Sequence, residues 1–170
     1  GTLPNTIHGE DASNRDTTDA PLWYGAVCED YDVAQGEIAG RSLYSSVVDS
    51  QGRTIADILR SIAVHYRSGT PNGIRMDPDS ALVFSPSHFT WMDTNHPAGT
   101  PREGYPVEIQ VLWIRLLRQL ARLGAKSDGE EWAALAGRAE ESLLKRFWIE
   151  EKGYLADLLI AKPGQPANEA

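Results

Sequence analysis

The residues best equipped for chemistry lie between His88 and Ile109. Trp91 and Asp93 sit close together in His88-Phe89-Thr90-Trp91-Met92-Asp93, which runs on through Gly99-Thr100-Pro101-Arg102-Glu103-Gly104-Tyr105-Pro106. Glycine and proline are too frequent there for a helix. An indole face can stack on a pyranose ring, and apolar surface beside a carboxyl group raises its pKa towards that of a working acid. A sugar-cleaving site needs both. Each residue also has a plainer role, because tryptophan in a domain of this size is ordinarily core and a loop aspartate ordinarily forms a turn. Spacing alone leaves the two readings standing.

Other polar clusters point to less. His8, Glu10 and Asp11 are close in sequence but match no metal-ligand spacing, and the turn-rich stretch 1–16 reads as a surface loop. Asp77-Pro78-Asp79-Ser80 lacks the glycine and the distal glutamate of a calcium loop, so it reads as a turn. No metal and no cofactor is expected. Cys28 is the only cysteine, which excludes an intrachain disulfide. With Trp23 and Val27 beside it, Cys28 reads as buried apolar filler rather than a nucleophile.

The chain of 170 residues is one domain's worth. Its 24 acidic and 16 basic residues give a net charge of −8, which argues against nucleic-acid or anionic-membrane partners. An acidic surface suits a neutral polymer such as a glucan, and suits any soluble protein as well. No apolar run approaches the roughly 18 residues of a membrane span, and no signal peptide is visible, so a cytoplasmic location is expected. The opening at Gly1 and the loop-like tail over 161–170 read as cut points. Residues 1–170 are therefore expected to be a single partial domain. Nothing in the sequence fixes an oligomeric state.

The elements that must hold the 88–109 segment are mostly helical. Thr17-Thr18-Asp19-Ala20-Pro21 reads as a capped helix start, with helical spacing to about Gln35. A second helix is expected over 41–48. From Thr54 the residues Ile55, Ile58, Leu59, Ile62, Ala63 and Tyr66 form an amphipathic stripe that Gly69 ends. Residues 70–87, with Pro71, Gly73, Pro78 and Pro86, fit a β-hairpin or ordered loop. A helix from about Pro106 to Leu123 is apolar nearly all round at its start, which predicts burial between other elements. The next, about 129–147, carries one stripe of Trp132, Leu135, Ala136, Ala139, Leu143, Leu144 and Phe147. An enclosed helix followed by an amphipathic one suits an inner and an outer layer. Tyr154 to Ile160 reads as a short strand or extended exit.

Thr90-Trp91-Met92-Asp93, Thr100 through Ile109, and Leu112-Trp113 together resemble the signature of the C-terminal glucosidase domain of glycogen debranching enzymes. Leu3-Pro4-Asn5, Thr18 through Trp23, Gly73 through Asp79, and Phe147-Trp148 through Leu155 resemble further blocks of that family in the same order. The resemblance implies a mainly α fold, a partial α/α toroid taken from a six-hairpin barrel, with a short β-hairpin or extended loops. It implies amylo-α-1,6-glucosidase activity on glycogen or another α-glucan by an inverting acid/base mechanism. Asp93 would be the general acid. Its partner base would stand about 6.5–9.5 Å away, and the family pattern puts it beyond Ala170.

The same resemblance gives Trp91 the stacking role and sets Asp19 and Trp23 at the mouth, where Asp19 would bond a glucose hydroxyl. Locally, Asp19 is also a favourable charge at a helix start. Glu108 is the nearest in-chain rival for a second carboxylate, or else a helix-start residue paired with Arg102. Arg102 would fix the Asp93 loop or bind hydroxyls. An arginine beside the acid would lower its pKa, which favours Arg102 pointing at Glu108. Thr94, His96-Pro97-Ala98, Gln110, Ile114 and Arg115 depart from the family pattern and put subsite contacts in doubt. Two alternatives stay open. One is another inverting toroid glycosidase, trehalase-like or glucoamylase-like; the other is a noncatalytic glucan-binding protein.

Overall fold

The computed structural model describes residues 1–39, 42–92, 99 and 101–168. Among them are four helices, α1 (Asp19–Ala39), α2 (Ile55–Ser68), α3 (Val107–Leu123) and α4 (Lys126–Phe147), and a 3-10 turn at Leu43–Ser45. Six short strands pair antiparallel in twos: β1 (Arg75–Met76) with β2 (Val83–Phe84), β3 (Gly104–Pro106) with β6 (Leu158–Ile160), and β4 (Trp148–Ile149) with β5 (Tyr154–Leu155). The fold is mainly α, as its periodicity predicts.

Local chemistry sets the helix boundaries. At the start of α2, Thr54 Oγ1 accepts from the Asp57 N–H at 3.2 Å while Asp57 Oδ2 accepts from the Thr54 N–H at 2.9 Å. This reciprocal pair satisfies two N–H groups that the helix leaves open. At the start of α1 the Thr17 hydroxyl takes the Ala20 N–H at 3.1 Å. Cys28 is buried as expected, but Trp23 and Val27 are exposed. Successive helix positions step about 100° round the axis, so sequence neighbours do not share a face.

The helix expected over 41–48 does not form; the described part of that stretch holds only the turn at Leu43–Ser45. Asp32 Oδ1 takes the Leu43 N–H at 2.5 Å, Ser42 Oγ takes the Tyr44 N–H at 3.3 Å, and Val47 bridges to Thr54. Serine and aspartate side chains here offer the backbone local bonds that compete with a helix. The expected exit over 154–160 is two strands, β5 closing a hairpin and β6 crossing back to β3.

Helix α3 is the hub, in contact with α1, α2 and α4 and with the ends of β2 and β3. Trp113 is fully buried against Tyr66, with ring centroids 6.1 Å apart, and its indole N–H donates to the Ala81 carbonyl at 3.0 Å. Gln110, also fully buried, accepts from the Val83 N–H at 2.7 Å and donates to the Val83 carbonyl at 2.9 Å. Its amide thus occupies the place of a neighbouring strand beside β2. Gln119 joins α3 to α1 by donating to the Gly25 carbonyl at 3.1 Å and to the Tyr44 hydroxyl at 2.8 Å. Two positions depart from the expected stripes: Val111 on α3 and Leu144 on α4 are exposed. Over 161–168 the chain has no helix or strand, yet Ala161 and Ala167 are buried and Arg146 donates to the Ala167 carbonyl. Among the described residues no helix is long and apolar enough to cross a membrane.

Candidate active site

The start of α1 and the Phe89–Trp91 segment meet directly. The Thr18 N–H donates to the Phe89 carbonyl at 2.6 Å, and the Thr18 hydroxyl is 2.8 Å from the Ser85 hydroxyl. Tyr66, buried in α2, donates its phenol to the Thr18 carbonyl at 2.9 Å. Burial and the nearby Asp19 charge push that phenol well above its ordinary value, so it stays a donor. Asp19 follows Thr18 and accepts from the Thr17 hydroxyl at 2.6 Å. Its half-buried carboxylate has further lone pairs beyond that bond. One turn on stands Trp23, 52% exposed, and two residues past Phe89 stands Trp91, 69% exposed. Neither indole is core, so both present exposed aromatic surface.

The downstream end of the same segment is fastened to its upstream end. The His88 N–H donates to the Pro101 carbonyl at 2.8 Å, and Ser85 and Gly104 exchange both backbone bonds at 2.7 and 3.1 Å. These three bonds draw residues 85–88 and 101–104 together into a neck. His88 and Arg102, flanking the neck, have φ of 63° and 48°. For a residue with a side chain that backbone costs about 1–2 kcal/mol, and such strain collects at functional sites.

Arg102 is buried and pairs with two carboxylates that are themselves less buried. Its Nη2 donates to Glu108 Oε2 at 2.5 Å, and its Nη1 pairs with Asp157. The Arg102–Glu108 pairing that the helix-start reading anticipates is thus present. Arg102 Nε, Glu108 Oε1 and His88 Nδ1 are buried without a hydrogen-bond partner among the described residues. Asp157 carries no signal in the sequence, because it reaches Arg102 only through the β3–β6 pairing and the Val107 N–H bond to its own carbonyl at 3.0 Å. Ser85, which joins Thr18 at the start of α1 to the hairpin, is equally silent.

Five of the six residues singled out from the sequence fall into two groups around this neck. Asp19, Trp23 and Trp91 lie on the α1 side, and Arg102 with Glu108 on the α3 side. Asp93 lies outside the described residues, as do Thr94 and His96-Pro97-Ala98. Gln110 is saturated by the Val83 backbone and by the Pro106 carbonyl at 3.0 Å. Ile114 is buried, and Arg115 pairs with Glu29 at 2.6 Å and with Asp30. Among the described residues no group of three or more His, Cys, Asp or Glu side chains could hold a metal ion.

Comparison with curated proteins and with solved structures returned no match. A family model described as amylo-alpha-1,6-glucosidase matches residues 1–168, nearly the whole length. The chain belongs to that family and is a glycoside-hydrolase-type domain.

Proposed function

We propose that this chain forms part of an α/α toroid that hydrolyses α-1,6-linked glucose on a glycogen-like glucan. In this reading Asp93 is the general acid, protonating the leaving glycosidic oxygen. Trp91 and Trp23 flank the sugar ring, and Asp19 accepts a glucose hydroxyl. Arg102 holds the downstream end of the segment through Glu108 and Asp157. The observation that carries the reading is the Thr18 bond to Phe89 at 2.6 Å. It supports a single site by joining the helix that bears Asp19 and Trp23 to the segment that bears Trp91. By the family resemblance the general base lies beyond Ala170, where it would activate water on the opposite face of the ring.

In the polypeptide that includes the base, Asp93→Asn should abolish glucose release from a glucose-branched limit dextrin while leaving glucan binding in place. Turnover unchanged by Asp93→Asn would remove the acid role. Release from trehalose or maltotriose in preference to the branched substrate would move the protein to a different toroid glycosidase.

A further inference from the structure

A cavity of about 490 Å³ lies between the end of α2, strand β1 and residues 163–165. No residue assigned above to the active site lines it. Its apolar lining comes from Ile74, Met76, Phe84 and Tyr105, and its polar lining from Arg75, Asp77 and Gln165. The polar groups are held in place. Arg75 Nη2 donates to the Ser68 carbonyl at 3.1 Å, and a Cβ on Gly69 would come within 3.1 Å of Arg75 Nε. The Tyr105 hydroxyl donates to the Gln165 carbonyl at 2.7 Å, which fastens the third wall.

Hydrogen-bonding capacity is left over on both sides. Asp77 Oδ2 accepts from the Ser80 N–H at 3.1 Å and its hydroxyl at 2.5 Å, so Oδ1 accepts from no described residue. Gln165 Oε1 accepts from the Lys162 N–H at 2.8 Å, while its NH2 donates to no described residue. One cation and one anion cancel, which disfavours a charged ligand. Donors and acceptors side by side over an apolar lining suit a neutral polyol, whose C–H face and hydroxyls need both. The volume falls within the range of about 300–1,000 Å³ that encloses small ligands.

We propose that this cavity is a second glucan-binding site, taking a short α-linked glucosyl segment away from the reacting end. The inference rests on the glucan reading above. It is tested by titrating the chain with maltotriose while following backbone amide NMR signals, with inorganic phosphate as the charged control. Maltotriose should shift the amides of Gly69, Gly73 and Gly164 saturably, and phosphate should not. Arg75→Met and Gln165→Ala should each weaken that binding about 5-fold, the worth of one hydrogen bond, without lowering Tm. If Arg75→Met lowers Tm, the exposed Gln165 decides. Absent glycine shifts, insensitivity to the deciding variant, or shifts with phosphate would overturn the proposal. Shifts confined to Thr90–Trp91 would leave the active-site reading intact and sink this one. Shifts confined to the cavity glycines would do the reverse.

Discussion

Replacing Arg102 by Met isolates the ion network that anchors the downstream side of the neck to α3 and Asp157. The arginine side chain is 4% exposed, and its partners differ sharply: Glu108 is 27% exposed and Asp157 75%. The Asp157 arm is in contact with water and contributes no more than an exposed pair, about 0–1 kcal/mol. The Glu108 arm is more enclosed, and removing the partner of a fully buried charge costs about 3–5 kcal/mol. Discounting for the partial exposure of Glu108, Arg102→Met should destabilise the chain by about 2–4 kcal/mol. The unfolding midpoint in urea should fall with the slope unchanged. Glu108→Gln and the double variant complete a cycle whose coupling should exceed about 0.5 kcal/mol, the limit for independent sites. Salt should alter the Asp157 arm more than the Glu108 arm. A loss below about 0.5 kcal/mol, the scale of an ordinary surface substitution, would refute the assignment of Arg102 as the downstream anchor.

Two further perturbations test the surroundings. Gly104 has φ of 133°, and a Cβ there would lie 2.3 Å from the Leu159 carbonyl oxygen and 2.8 Å from the Ala161 nitrogen. Backbone strain and overpacking together predict a loss of about 2–5 kcal/mol for Gly104→Ala, measured by urea unfolding; a loss under about 1 kcal/mol would mean that β6 shifts freely. Tyr66 tests pH. Its folded phenol titrates above its unfolded value through burial and the Asp19 charge, so its contribution is full below about pH 10 and is lost as pH rises beyond that. Tyr66→Phe should flatten the alkaline loss in stability, and an unchanged slope would count against a buried donor to Thr18.

How far the sequence discloses the structure depends on whether the cause is local. The α2 stripe and the threonine cap are both local, and the structure forms both. The pairing of Arg102 with Glu108 is legible too, because a helix begins between two charges of opposite sign. The 41–48 stretch misleads because its serines and Asp32 bond the backbone in a turn instead. The β3–β6 pairing and Asp157 depend on where the chain returns after a helical hairpin, and no nearby residue records that. Position within a helix decides the tryptophans: Trp113 packs on Tyr66 of α2 and is fully buried, whereas Trp23 is about half exposed. Gln110 reads as a subsite position from the family pattern, and only the fold reveals that Val83 takes its amide.

That amide has a mechanical consequence. Rotating α3 by even one residue would carry the Gln110 side chain about 100° away from Val83 and strand a buried N–H and C=O together. The helix and the hairpin are therefore keyed to one another like a shaft and its collar. The His88–Pro101 and Ser85–Gly104 bonds rest on a platform that cannot slide without breaking the Val83 bonds.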